Sequence, residues 1–297
     1  MTTTDRTGSP PATVEAPHRL GTTTLPDGRR LGWAEWGPDD AEPVLLFPGA
    51  ATSRWLGLAA GAAEDVRVVS LDRPGLGASD PAEGRTLGTW AQDVEELVRL
   101  RDLGRPRGIA FSQGAPFGLA CAAAGVLGAL AVVSGTDELA APAVRAQLPP
   151  DVGGLVDLCA HDPAGARALF AGLASTDAMW AMVRSGSSPR DLAVYEEPSF
   201  ARAYRTAMDE AFAQGPGGCT LDTLLSMSPW PFDPTAIEVP VHLWYGRLDT
   251  SPVHSPDHGA HLHRTIPGSR HHLLDDEGGS LLWTRTGEAL DELLAAG

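Results

Sequence analysis

The chain has no lysine, and its 22 basic residues, all arginine, are outnumbered by 38 acidic ones, for a formal net charge of −16. An acidic surface repels phosphate backbones and anionic lipid, which argues against nucleic acid and membrane as partners. Cysteine is scarce. Cys121, Cys159 and Cys219 are odd in number, widely spaced and without a C-x-x-C pair, so neither a disulfide framework nor a zinc site follows, and a reducing cytoplasm is the expected setting. No apolar run approaches the roughly 18 residues of a membrane span, and the first 17 residues are too polar for a signal peptide. Phosphate loop, dinucleotide fingerprint and haem motif are all missing, so no cofactor and no metal is implied. What is present is 297 residues of 43% hydrophobic composition, enough for one large α/β domain or two smaller ones. Richness in Ala, Gly, Pro and Arg fits a high-GC bacterial gene.

Strand and helix patterns alternate along much of the chain. Residues 20–24 and 30–36 alternate in the strand manner around Pro26-Asp27-Gly28, a hairpin signal. Residues 43–47 and 66–71 are continuous apolar runs, as expected of strands covered on both faces. Residues 86–101 predict an amphipathic helix with Trp90, Val94, Leu97 and Val98 on one face. Further strands are expected at 108–111, 129–133, 240–245 and 271–274, a helix opening at Ser255-Pro256, and a last helix over 280–295. Between residues 137 and 235 the strand rhythm stops, and 164–172, 177–183 and 200–213 predict helices.

One stretch carries chemistry. The apolar run 108–111 ends at Ser112, a glycine follows two residues later, and small residues then recur at helical spacing. Strand, sharp turn and helix make a nucleophile elbow, G-x-S-x-G with Ala110 in the first glycine position. Together with the Pro48-Gly49 loop after an apolar strand, and Asp72-Arg73-Pro74-Gly75-x-Gly77-x-Ser79, the elbow resembles the α/β-hydrolase superfamily from Leu20 onward. The resemblance implies a doubly wound, mostly parallel sheet with a helical cap inserted after the sixth strand. It divides the chain into a first core segment (20–136), the cap (137–235) and a second core segment (236–297), while residues 1–19, rich in Thr, Pro and Ser with nothing to bury, are expected to be a disordered tail. The aromatic and methionine residues of the insertion, Phe170, Met179, Trp180, Met182, Tyr204, Phe212 and Trp230, suit either a pocket wall or the insertion's own packing.

By the same resemblance Ser112 is the nucleophile and Asp249, in the loop after the strand 240–245, the acid. The backbone N–H groups of Gln113 and Ala50 are the oxyanion donors, although the loop reads Pro48-Gly49 where the family usually has His-Gly. Asp137, just past the sixth strand, is a second candidate acid or a cap for the first inserted helix. The family's histidine belongs in a short turn before the final helix, and there this chain has Gly279, with no histidine after His272. In a protease, loss of the triad serine or histidine costs about 10⁶ in turnover. Hydrolysis at Ser112 therefore requires a substitute base or one that the substrate supplies. His254, five residues after Asp249, is the first candidate. His258 and His261 are expected on the following helix, surface residues or, with His254, a metal face; His271 and His272 point to opposite sides of the last strand.

Three readings stand. The default is hydrolysis of an ester, amide or thioester at Ser112. The alternatives are a non-hydrolytic enzyme (cyclase, lyase or rearrangement catalyst) using the same pocket, and a ligand-binding protein without turnover. An aspartate-nucleophile enzyme is disfavoured because the elbow carries a serine. Substrate and oligomeric state are not written in the sequence.

Overall fold

Residues 13–296 are described by a computed structural model. The antiparallel hairpin of β1 (Arg19–Thr24) and β2 (Arg30–Trp36) turns at Gly28, whose φ of 90° suits a residue without a side chain. Next come β3 (Glu42–Phe47), β4 (Val66–Leu71), α1 (Leu87–Leu100), β5 (Arg107–Phe111), α2 (Ala115–Ala123) and β6 (Leu130–Val133). Seven α-helices separate β6 from β7 (Val241–Gly246): α3 (Pro142–Arg145), α4 (Pro150–His161), α5 (Pro163–Leu173), α6 (Thr176–Gly186), α7 (Pro189–Tyr195), α8 (Pro198–Ala211) and α9 (Gly217–Met227). The chain closes with α10 (Ala260–Thr265), β8 (Arg270–Leu274), α11 (Leu281–Thr284) and α12 (Thr286–Ala295).

The eight strands form one sheet in the order β1-β2-β4-β3-β5-β6-β7-β8, parallel from β4 to β8. This is the expected doubly wound α/β architecture. Its central strands are buried on both faces because helices cover both, which is why they read as unbroken apolar runs. On one face Trp90 of α1 meets Phe47 and Phe117 edge-on, with ring centroids 6.3 and 6.2 Å apart. The other face packs Trp36, Ile109, Trp244, Trp283 and Leu290 with Phe200 and Tyr204 of α8. The inserted helices also keep a small core of their own around Leu139, Val152, Phe170 and Met227.

Three local expectations need correction. Residues 13–18, assigned to a tail, lie against the sheet: Val14 bridges to Ala59, and the Trp36 indole donates to the Glu15 carbonyl. The remainder of that tail, residues 1–12, lies outside the described residues. The helix expected from Ser255 begins only at Ala260, because His258 (φ 53°) and Gly259 (φ 81°) turn left-handed and the Ser255 hydroxyl accepts from the Gly259 N–H. The last helix is interrupted at Arg285 (φ −131°), whose guanidinium donates to buried Glu277.

Candidate active site

Parallel strands deliver their loops to one edge of the sheet, the usual place for a ligand crevice in such folds. β3, β5 and β7 bring Ala50, Ser112 and Asp249 there. Ser112 sits at the tip of β5 with φ 51°, a left-handed conformation that costs a non-glycine residue strain and survives only where its surroundings enforce it. The enforcement is steric. A Cβ on Gly114 would be driven into the Phe47 carbonyl, so only glycine lets the elbow lie against β3. The Ala110 methyl in turn fits because Gly118 faces it; a Cβ there would stand 2.7 Å from that of Ala110. Small residues on α2 therefore compensate the departure from the usual elbow pattern.

His254 stands where a base is needed. Its Nε2 is 2.8 Å from Ser112 Oγ, and its Nδ1 is 2.6 Å from Asp249 Oδ2. A carboxylate only accepts, so Nδ1 carries the ring proton and Nε2 accepts from the serine hydroxyl. The Phe111 ring stands edge-on to the imidazole with 6.4 Å between centroids. Burial pushes the Asp249 carboxyl up, but the His254 ring, its Nδ1–H bond and the Ser251 N–H outweigh that and hold it below the ordinary carboxylate range. Ser112, His254 and Asp249 thus form a continuous hydrogen-bonded relay with both outer groups largely buried.

Gly279 lines the same cavity but offers no room for a side chain. A Cβ on it would come within 2.8–3.0 Å of the Asp249 carboxylate, and one on Gly278 would collide with that of Asp191. The turn holding these glycines is fixed from the inserted helices: Asp191 Oδ1 accepts the Ser280 N–H at 2.8 Å, while its Oδ2 accepts from the Ser188 hydroxyl at 2.7 Å. Buried Glu277, ligated by Arg190, Thr284 and Arg285, holds the other end.

The Ser112 turn leaves the Gln113 N–H free of an intrahelical acceptor, as at any helix start. Across from it, the loop after β3 is held by Arg73, which donates to the carbonyls of Pro48 (2.6 Å) and Gly49 (2.8 Å) while its Nε donates to Asp222 of α9. Arg85 donates to the other Asp222 oxygen, and the Arg73 guanidinium lies 4.8 Å over the Phe117 ring. All three charges are buried. This is the support that a His-Gly loop would supply in another way. Neither Arg73–Asp222 nor Asp191 was visible as a site residue in sequence. The only local signals are the Asp-Arg-Pro-Gly run and the Ser188-x-x-Asp191 capping pattern, which predict a turn and a helix start but no distant partner.

Asp137 plays neither of its expected parts. It lines neither cavity beside Ser112, and α3 is capped at Ala141. Its carboxylate accepts instead from the Glu138 N–H at 2.8 Å and the Ser255 hydroxyl at 3.0 Å, behind the loop that carries His254. Burial raises its pKa to about 6, with His261 pulling it down and Asp257 pushing it up. In the unfolded chain a carboxyl ionises near 3.9. The folded state therefore keeps this proton longer, and stability drains away as pH climbs from about 4 to about 6. Replacing Asp137 with asparagine, whose amide can donate to Ser255, is expected to stabilise the fold above about pH 7 and to change little near pH 4. Denaturant titrations at both pH values check this.

His258 and His261 do not join His254: His258 is in the left-handed turn and its carbonyl accepts from His271, whereas His261 is on α10 with its N–H on Asp257. His271 and His272 do face opposite sides of β8, His272 stacking on Trp244 at 4.0 Å and His271 on His263 at 5.4 Å. Among the described residues the one group of three metal-ligand side chains is His242, His272 and Glu292, which shares no residue with the Ser112 site. Phe170, Met179, Met182 and Tyr204 of the inserted helices line the cavities beside Ser112, while Trp230 stacks on Phe232 in the main core.

A sequence model described as the alpha/beta hydrolase family matches residues 44–281. A non-heme chloroperoxidase from Streptomyces lividans is 35% identical over 88 residues, 28% of this chain and 32% of that protein, so the match spans about a third of the relative's length. Among solved structures, an esterase from Rhodococcus sp. ECU1013 superposes with a TM-score of 0.65 at 17% identity, over 94% of this chain and 99% of that one. An enol-lactonase from Burkholderia xenovorans LB400 does so with a TM-score of 0.65 at 18% identity, over 93% and 100%. A bromoperoxidase from Bacillus anthracis reaches 0.65 at 19% identity, again over 93% and 100%. At such identities the likeness is one of fold. Among the described residues, no helix is long and apolar enough to cross a membrane.

Proposed function

The chain belongs to the alpha/beta hydrolase family, and from that premise we propose that it is a serine hydrolase of small carboxylic esters whose base is His254. The observation that carries the proposal is the relay of Ser112 Oγ, His254 Nε2 and Nδ1, and Asp249 Oδ2. As Ser112 Oγ attacks the ester carbonyl carbon, its proton passes to His254 Nε2. Asp249 holds the ring in the required tautomer and stabilises the imidazolium. Negative charge developing on the carbonyl oxygen is taken up by the N–H groups of Gln113 and Ala50. His254 then returns the proton to the leaving alcohol oxygen, and the acyl-enzyme is hydrolysed by water activated in the same way. The inserted helices act as a cap, their Met179, Met182 and Tyr204 walling the site from solvent.

The empty histidine position at Gly279 was the ground for a non-hydrolytic enzyme or a mere receptor. A relay closed by another histidine removes that ground and favours hydrolysis. The experiment is turnover of p-nitrophenyl acetate by the wild type and by Ser112→Ala. Release of nitrophenol by the wild type, with a fall of about 10⁶ in the variant, is expected. Equal rates in the two proteins would refute the assignment.

A further inference from the structure

The sheet face that α12 covers carries two imidazoles whose inward nitrogens bond to nothing. Side chains two apart on a strand share a face, so His242 and Trp244 of β7 point the same way. Trp244 is the register partner of His272 on the parallel edge strand β8, and their rings stack at 4.0 Å. Trp244 shares a core with Leu290 and Leu293 of α12. The same helix brings Glu292 to the two histidines: its Oε2 is 3.4 Å from His242 Nδ1 and 4.0 Å from His272 Nε2.

Both of those ring nitrogens are sealed from solvent, and neither has a hydrogen-bond partner. His242 as a whole is 2% exposed. Buried polar atoms are ordinarily paired, and two orphans facing one carboxylate point to something that satisfies all three. Burial holds both imidazoles below the ordinary histidine range against the pull of Glu292, so each neutral ring has a lone pair to offer. Arg270 also reaches Glu292, at 3.4 Å, but its side chain is largely exposed and can swing aside.

The spacing fits a metal ion. Ligand atoms bound at about 2.0–2.2 Å to a tetrahedral zinc stand about 3.4 Å apart. The separation of Glu292 from His242 already has that value, and the longer one to His272 closes with a small turn of the partly exposed carboxyl. Across the whole group the three ligand atoms lie within 4.8 Å of one another.

We propose that His242, His272 and Glu292 bind one divalent transition-metal ion of the zinc class, which ties α12 to the edge strand β8. Two imidazoles and a carboxylate suit zinc, whereas magnesium and calcium take oxygen ligands. Water completes the tetrahedron. The ion's role is structural, because His242 lies at the N-terminal end of β7, the sheet edge opposite to the loops that carry Ser112 and Asp249. Nothing in this inference depends on the hydrolase reading.

The test uses the untagged full-length chain, stripped with EDTA and titrated with zinc chloride by calorimetry. One ion per chain is expected, with a Kd of about 1 μM, weaker than four-ligand zinc fingers achieve. At free zinc about 100 times Kd, Tm is expected to rise by about 4 °C. Glu292→Gln and His272→Gln each weaken binding at least about tenfold, since even a residue that only supports a metal ligand is worth that much. Asp291→Asn, which removes the neighbouring exposed carboxylate, leaves Kd unchanged. Circular dichroism of the metal-free variants shows that each is folded. Magnesium chloride gives neither binding heat nor a Tm shift. Absence of zinc binding, or binding that Glu292→Gln and His272→Gln leave as it was, overturns the proposal. So does an equal Tm rise with magnesium, which would be screening of the −16 net charge.

Discussion

His254→Ala lowers kcat for p-nitrophenyl acetate by about 10⁵ to 10⁶, as much as Ser112→Ala does. The size follows from what the imidazole does in both half-reactions. Without it, the Ser112 proton has no acceptor in the attack, and the leaving oxygen no donor. The two losses do not add, because serine and histidine act as one unit; the double variant is expected to be no slower than either single one. His258 and His261 cannot stand in, the first being held in a left-handed turn with its carbonyl on His271 and the second lying on α10. Steady-state kinetics on the three variants, with thermal melts to show that each is folded, check the expectation. A His254→Ala enzyme within tenfold of the wild type would contradict it.

Putting a side chain at residue 279 should inactivate the enzyme. In sequence terms Gly279 looks like a vacancy, and Gly279→His looks like a repair. The geometry says otherwise, because even a methyl group there stands 2.8 Å from Asp249 Oδ1. The turn cannot retreat, being fixed by Asp191 to the Ser280 N–H and by Glu277 to three donors. The carboxylate must give way instead, and with it the bond that orients His254. Displacing a catalytic group by about 1 Å costs about 10² in rate, so Gly279→Ala is expected to lose about that much in kcat. Gly279→His should lose up to about 10⁴, the effect of spoiling the triad aspartate's role in a protease. Faster turnover by Gly279→His than by the wild type would show that the turn yields and that the usual position still serves.

Much of this was legible in the sequence, and the reasons differ residue by residue. Ser112 could be found because a buried strand, a small-residue turn and a helix are all local. Asp249 followed from its place just after β7. His254 could be nominated by its nearness to Asp249 in the chain, but not oriented, since residues 250–259 carry no helical or strand periodicity from which a side-chain direction follows. The helix expected at Ser255 failed for a related reason: good capping chemistry sits there, yet two left-handed residues postpone the helix to Ala260. What stayed hidden is long-range. Asp222 supports the loop after β3 through Arg73, 149 residues away, and Asp191 fixes the Gly278-Gly279 turn from 89 residues away. Both act from the inserted helices onto the main sheet, and no sequence spacing encodes such a pairing. Asp137 misled because a carboxylate after a central strand usually faces the crevice, whereas this one turns toward Ser255.

The central claim is that the base serving Ser112 comes from the loop after β7 and not from the turn after β8. Its most direct test is the rate of covalent labelling by a fluorophosphonate, followed by intact mass, in the wild type and in His254→Ala. In this reaction Ser112 Oγ bonds to phosphorus, fluoride leaves and the proton goes to the base. The account predicts a single adduct on Ser112 in the wild type, and labelling slowed by at least about 10³ without His254. Labelling at the same rate in both proteins, or a wild type that never labels, would contradict it.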